Sequence, residues 1–339
     1  MPRPMIGKAL HNVLQKWIFS VPSESIGRMP LISIADIPFI CVFPFQWLDL
    51  VRKLAAFQRN LGSEDWLGLS AIYPRIGMWA YAFCLFSWGE YCGQLQAILQ
   101  NPEKSLVAEV FLRHVCQVDN HIDAFDSRSI WLNDPGYIKQ LPEVSLTSQE
   151  LCRLLKGPET TARVRNPIVK LINEYRRNAL RAMQDWASSP ETLDNILRVK
   201  CQTAGKLWYY WSSILGQLYG IASSLVSNAS ATFFNFGMIV QIVDDLADTP
   251  IDYRAKTHNL FIAIARETPT EWDALQRYLA ECRQRFLGWP WVRDHLPMSY
   301  RITLDLYDQF GHQLLYDKYA PNIAERLYWT VEKVRRMST

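Results

Sequence analysis

Glycine is sparse in this chain, 15 of 339 residues, and no repeat, low-complexity tract or Pro/Gly-rich linker divides it. Few pivots and no linker argue against a string of modules. The expectation is one domain over residues 1–339. Alternation of the β type is weak everywhere, whereas apolar residues recur at helical spacing, as in Val107, Val110, Phe111, His114, Val115 and Val118. The fold class expected is all-α.

Other absences narrow the function. The seven cysteines, Cys41, Cys84, Cys92, Cys116, Cys152, Cys201 and Cys282, form no CxxC pair and no regular framework. That excludes a disulfide scaffold and leaves reduced, mostly buried thiols in a cytoplasmic protein as the expectation. Charge of one sign is lacking too: 36 Lys and Arg against 33 Asp and Glu leave +3. The cations are scattered among nearly as many acids, with no basic block or stripe, so nucleic acid is not an expected partner. The longest apolar stretch, residues 31–50, is interrupted by Asp36, Pro38, Pro44 and Asp49 and falls short of a membrane span. Residues 1–20 lack the apolar run and small-residue cleavage site of a secretory leader. No stable membrane insertion is expected.

What the chain does have is acid in two places. Asp119-Asn120-His121-Ile122-Asp123 and Asp244-Asp245-Leu246-Ala247-Asp248 lie 125 positions apart. In each, the outer carboxylates stand at i and i+4, so a helix projects them from one face, roughly 6 Å apart. Two such faces opposed across a bundle suit Mg²⁺ and a polyanion, because Mg²⁺ takes one or two carboxylates per ion and fills its shell with water and substrate phosphate. The first cluster ends an apolar helical stretch, and Arg128 follows five residues after Asp123, within reach of a metal-held anion. His121 suits a local hydrogen bond better than Mg²⁺, which prefers oxygen. In the second cluster, Asp244, Asp248 and Asp252 run at i, i+4 and i+8 after the apolar stretch 236–243. Like charges so spaced repel unless cations bind. Pro250 is expected to bend or end that helix, which makes Asp252 the least secure member. Arg254, Lys256 and Asn259 follow, placed equally for a diphosphate or for solvent.

Between the clusters, Thr203-Ala204-Gly205 is a small-residue interruption of a helical segment, and such a break offers backbone carbonyls to positive charge developing inside a bundle. Arg198, Lys200 and Gln202 beside it are candidates to sense a diphosphate, although Arg198 and Lys200 do not share a helix face. Aromatic residues are abundant: 13 Trp, 15 Tyr and 15 Phe. Any one of them is most simply a core filler. As a set, Trp79, Phe83, Trp88, Trp208, Trp211 and Phe236 read as the π-faced lining of a cavity that stabilises carbocations and excludes water. Residues 1–30 read as an amphipathic helix or an arm. Residues 127–166, punctuated by Asn133-Asp134-Pro135-Gly136, Leu141-Pro142 and Gly157-Pro158, read as the least ordered stretch, suitably placed for a lid.

These residues carry a resemblance over about residues 105 to 260. Asp119 to Asp123 with Arg128, Val199 to Ala204, and Gly237 to Asp248 resemble, in order, the first Asp-rich motif, the Lys-Thr-Ala helix and the FQxxDDxxD motif of trans-isoprenyl diphosphate synthases. The second cluster is equally similar to the metal triad of class I terpene synthases, with Asp244, Asp248 and Asp252 in the ligand positions. Asn120 replaces the second Asp of the first motif, Gln202 replaces the Lys of Lys-Thr-Ala, and Arg128-Ser129 stands where a paired Arg is usual. No Gly-Lys-Arg segment precedes them to hold a second diphosphate. The pattern implies a single substrate and cyclisation rather than elongation. Lys318-Tyr319 stands for the Arg-Tyr pair that closes over the diphosphate in cyclases.

Taken together, the chain resembles the divergent fungal α-humulene synthases of tropolone sesquiterpenoid pathways. That implies a class I terpenoid synthase bundle, Mg²⁺, three ions with the diphosphate, and farnesyl diphosphate as the small-molecule partner of a monomer or homodimer. A chain-elongating synthase and a non-catalytic prenyl-diphosphate-binding subunit are the alternatives.

Overall fold

The computed structural model describes residue 50 and residues 73–123, 142–157, 160–281 and 287–337. Every regular element among them is helical: α1 Tyr73–Tyr91, α2 Leu95–Gln100, α3 Leu106–Asp123, α4 Pro142–Lys156, α5 Ala162–Ser188, α6 Leu193–Lys200, α7 Lys206–Tyr219, α8 Ser223–Ala255, α9 Leu260–Arg266, α10 Pro269–Glu281, α11 Trp289–His295, α12 Pro297–Leu315 and α13 Pro321–Met337. The fold class is all-α, as the spacing predicts. The predicted arm at residues 1–30 lies outside the described residues.

The chain divides into two compact units. The first comprises residues 1–86 and 99–103, and its described part includes α1 up to Phe86, with Tyr81 to Phe86 all buried. The second comprises residues 87–98 and 104–339. At its centre lies α8, which packs against α3, α7, α9, α12 and α13. Among the described residues this helix alone is long and apolar enough to cross a membrane, yet 61% of its most apolar window is buried inside the protein. A central core helix meets the same description.

Local chemistry explains where these helices stop and how closely they cross. Gly220, at φ +67°, ends α7 in the left-handed conformation, and the Ile221 amide then donates to the Gly216 carbonyl at 3.0 Å. Gly216 itself permits the crossing of α7 and α8, since a Cβ there would stand 2.4 Å from Cγ2 of Val226. Asn259 caps α9 by accepting from the Ile262 amide at 2.9 Å.

Of the two effects expected of Pro250, bending or ending its helix, the second does not occur: α8 continues to Ala255. A proline loosens the carbonyls one turn before it, and other donors satisfy that region: the Leu287 amide donates to the Ala247 carbonyl at 2.8 Å and Asn259 Nδ2 to the Asp245 carbonyl at 2.5 Å, while Thr249 Oγ1, within the helix, also donates to the Asp245 carbonyl at 2.8 Å. Nor is the described part of residues 127–166 loose. Within it, α4 is a continuous helix bound to α3 by Arg113 on Glu150 (3.0 Å) and by His114 Nδ1 with Thr147 Oγ1 (2.9 Å). Residues 127–141 and 158–159 lie outside the described residues.

Candidate active site

The segment singled out between the acidic clusters is a π-helical turn, Cys201–Gly205, set into an otherwise continuous helix of α6 and α7. The Lys206 amide reaches back five residues to the Cys201 carbonyl. Single π turns inside α-helices are frequent at functional sites. Its small residues bring it hard against α8. A Cβ on Gly205 would meet Cε2 of Phe234 at 2.6 Å and Sδ of Met238 at 2.9 Å; one on Gly237 would meet Cδ1 of Trp208 at 2.3 Å and the Ala204 carbonyl oxygen at 3.2 Å. Gly205 is therefore a packing residue as well as a break. Of the carbonyls expected to be on offer, that of Thr203 already accepts from the Tyr175 hydroxyl at 3.2 Å. The Ala204 oxygen lies where Gly237 leaves room.

Seven residues beyond Gly237 along α8, the acidic cluster splits into two roles. Asp244 is exposed and Asp248 half-buried one turn later, so this pair forms an accessible stripe. Asp245 turns inward and is 2% exposed. Its Oδ1 accepts from Lys200 Nζ at 2.8 Å and from Gln241 Nε2 at 2.7 Å, and its Oδ2 accepts from the Leu260 amide at 2.7 Å. Asp252 is buried as well and accepts from Asn259 Nδ2 at 2.7 Å. It is thus part of the joint between α8 and α9, set inward of the outer stripe. Asn259 serves the same joint rather than solvent or a diphosphate.

Lys200 turns inward as well. Its ammonium pairs with Asp245, with side chains 7% and 2% exposed. A cation so placed helps to hold the protein together. The pair also joins the end of α6, where the π turn begins, to the acidic cluster. Next to it, burial and the Lys200 charge keep His258 well below the usual histidine range, so that ring is neutral. It packs on Trp186 with centroids 5.1 Å apart. Gln241 stands where the Gln of the FQxxDDxxD pattern does, whereas His258 carries no signal in the sequence beyond its nearness to the cluster.

The remaining candidates are dispersed. Gln202 is half-buried in the π turn, and Arg198 is exposed, donating to Asn195 Oδ1 at 3.3 Å. Lys256 is exposed at the end of α8 with φ +53°, the one non-glycine positive φ among the described residues. Lys318 and Tyr319 are exposed in the turn between α12 and α13, where the neighbouring Asp317 accepts from Tyr91 and Thr232. Thr232 precedes Asp244 by twelve residues of α8, roughly 18 Å along the helix. The pair Lys318-Tyr319 therefore lies towards the Thr232 part of α8, away from the carboxylates.

Aromatic rings gather against the π turn, but most fill space instead of lining it. Trp208 packs on Trp211 (5.5 Å) and Phe236 (5.3 Å), and Trp211 on Phe233 (5.2 Å), all tilted or edge to face. Trp88 and Trp211 are 0% exposed, so no water-sized space touches either, and Phe83 and Phe236 are buried too. Trp88 instead donates from Nε1 to Ser212 Oγ at 2.9 Å. Of these, only the half-buried Trp208 has surface to offer a ligand. The side chains of Asp119, Asp123 and Trp79 and the whole of Arg128 lie outside what is described, although the backbone of α3 runs through Asp119 and Asp123 and α3 packs beside α7 and α8.

As oxygen donors one turn apart, Asp244 and Asp248 fit Mg²⁺, which needs only one or two carboxylates when phosphate and water complete its shell. Among the described residues no three His, Cys, Asp or Glu side chains form a preformed cage. Among the described residues, Cys84, Cys92, Cys152 and Cys201 are free thiols. No protein-family model, no curated protein and no solved structure matches this chain.

Proposed function

We propose that this protein is a class I sesquiterpene cyclase that converts farnesyl diphosphate to a macrocyclic hydrocarbon, α-humulene, and diphosphate. The observation that supports it most is the placement of an accessible carboxylate pair, Asp244 and Asp248, on the same helix that presses against the π turn Cys201–Gly205. Beside them α3 carries the first acidic cluster into the same packed unit.

In this reading Asp244 and Asp248, with Asp119 and Asp123, would hold Mg²⁺. Bound there, the metal supplies Lewis acidity to the diphosphate oxygens. The C1–O bond of the substrate breaks with its electron pair leaving on diphosphate, the C10–C11 double bond attacks C1, and a proton is lost from the resulting cation. The chain's own part is to orient and to exclude water. Trp208 presents a π face, and the Ala204 carbonyl region presents a dipole towards positive charge. No side chain in the described residues is assigned as the base, and the departing diphosphate serves that role.

The test is incubation of purified protein with Mg²⁺ and farnesyl or geranylgeranyl diphosphate, with and without isopentenyl diphosphate, read by gas chromatography with mass detection. A metal-dependent sesquiterpene hydrocarbon from farnesyl diphosphate alone is the expected result. Longer diphosphates formed only with isopentenyl diphosphate would replace this reading with chain elongation, and binding without turnover would replace it with a carrier subunit.

A further inference from the structure

Several basic residues of the described chain are held in ion pairs. Arg113, Lys200, Arg266, Arg293, Arg326 and Arg335 each pair with a carboxylate. On α5 the opposite holds. Arg163, Lys170, Arg177 and Arg181 are all exposed, and among the described residues none has a carboxylate within ion-pairing distance. Their spacing of seven, seven and four residues puts them within a narrow stripe of the helix surface, roughly 27 Å long. The stripe lies opposite the face on which Ile168, Tyr175, Ala182 and Trp186 are buried. The sequence hides this, because Glu174 lies among these cations, but its carboxylate turns away to accept from the Tyr210 hydroxyl at 2.8 Å.

Along the flank of the stripe an open groove of about 520 Å³ is lined by Lys170, Asn173, Arg176, Arg177 and Leu180. Val169 beside it is 37% exposed. Four unpaired cations in a straight row, with amides between them and a shallow apolar edge, match a planar array of phosphates. An apolar edge at headgroup depth is the mark of an interfacial helix. Nothing aromatic lines the groove, which is what a single-stranded nucleic acid would use for stacking.

We infer that the outer face of α5 is a peripheral docking surface for anionic lipid headgroups, so that the protein rests on a membrane without inserting into it. The inference concerns attachment only and stands or falls separately from the reaction. A cation near an anionic leaflet contributes on the order of a fivefold gain in binding, so four together contribute on the order of a hundredfold or more.

The experiment is flotation of the full chain with vesicles of phosphatidylcholine alone or with about a third phosphatidylserine, a strongly anionic surface. Three proteins are compared: the unaltered chain, the variant Arg163→Gln, Lys170→Gln, Arg177→Gln, Arg181→Gln, and a control with the same charge removed elsewhere, Arg153→Gln, Lys156→Gln, Arg293→Gln, Arg301→Gln. All eight side chains are exposed, so helical signal and melting temperature should be retained. Expected are flotation only with anionic vesicles, its loss at about 0.5 M salt, a drop of about a hundredfold in the α5 variant and little change in the control. No flotation, equal flotation with neutral vesicles, or equal loss in the control would overturn the proposal. Tighter binding of a labelled oligonucleotide than of anionic vesicles at the same salt would overturn it as well, in favour of nucleic acid.

Discussion

The ammonium of Lys200 lies 2.8 Å from Oδ1 of Asp245, with both side chains almost wholly buried. This contact ties the start of the π turn to the middle of the acidic cluster, and the other Asp245 oxygen ties the cluster to the first amide of α9. Removing either partner leaves the other charge in a low-dielectric interior. Lys200→Met or Asp245→Asn should therefore each cost about 3–5 kcal/mol of stability. The double variant should cost less than the two single costs together, because it leaves no uncompensated charge. Urea unfolding of all four proteins gives the coupling energy. Strict additivity would show that the pair does not act as one unit.

The neighbouring carboxylates should respond in the opposite way. Asp244→Ala and Asp248→Ala remove an exposed and a half-buried side chain and should leave the melting temperature nearly unchanged, while lowering metal-dependent turnover by about a hundredfold or more. Asp252→Ala, by contrast, removes one of the two acceptors of Asn259 Nδ2, leaving the Asp245 carbonyl, and should destabilise by about 1–3 kcal/mol. Turnover measured at a temperature where the variant is fully folded should then be near normal. A folded Asp252→Ala protein as inactive as Asp244→Ala would place Asp252 in the metal site.

Much of this architecture was legible in the residues. Helical spacing of apolar positions located α3 up to Asp123, and the apolar run from Phe236 located the core stretch of α8. The interruption at Thr203-Ala204-Gly205 proved to be a π turn. What spacing could not separate was the direction of adjacent carboxylates: Asp244 and Asp245 differ by a single helical step of about 100°, and only the packing of Lys200 and Leu260 decides which faces inward. Similarly, the aromatic count spoke of a lining, whereas Trp88 and Trp211 are closed within the core because rings pack against rings. The basic stripe on α5 was invisible as a sequence block, since its members are seven residues apart.

Gly205 and Gly237 are the points where the π turn meets α8. Gly205→Ala would force its Cβ against Phe234 and Met238, and Gly237→Ala against Trp208, in a contact with no slack. Each should destabilise by about 1–3 kcal/mol, measured by denaturant midpoint. A neutral or stabilising effect in both would mean that the helices separate freely there, and the close crossing would lose its significance.

Lys256 separates a backbone effect from a functional one. In a left-handed conformation its Cβ is strained, and its amide bonds to the Asp252 carbonyl at the end of α8. Lys256→Gly should stabilise by about 1 kcal/mol. If the ammonium also contacts the substrate diphosphate, KM should rise in the same variant while kcat changes little. Unchanged KM with raised stability would assign Lys256 to the helix end alone.

Glu109 supplies the pH prediction. Burial pushes its carboxyl up to about 7 from an ordinary 4.5, with Arg113 opposing and Glu150 reinforcing the shift. Between those values the folded state binds a proton that the unfolded state has released, so this group's contribution to stability is complete below about pH 4.5 and is lost as pH rises through 7. His114 acts in the other direction: burial and Arg176 hold it below its usual range, so its contribution is present above 6.5 and fades as pH falls. Glu109→Gln keeps the shape and removes only the first effect. Relative to the unaltered chain, that variant should gain stability progressively between pH 5 and 8, by roughly 1–3 kcal/mol at the upper end. Urea midpoints for the two proteins across that range measure the difference directly. A constant offset would mean that the Glu109 carboxyl is ionised throughout, with Arg113 dominating over burial.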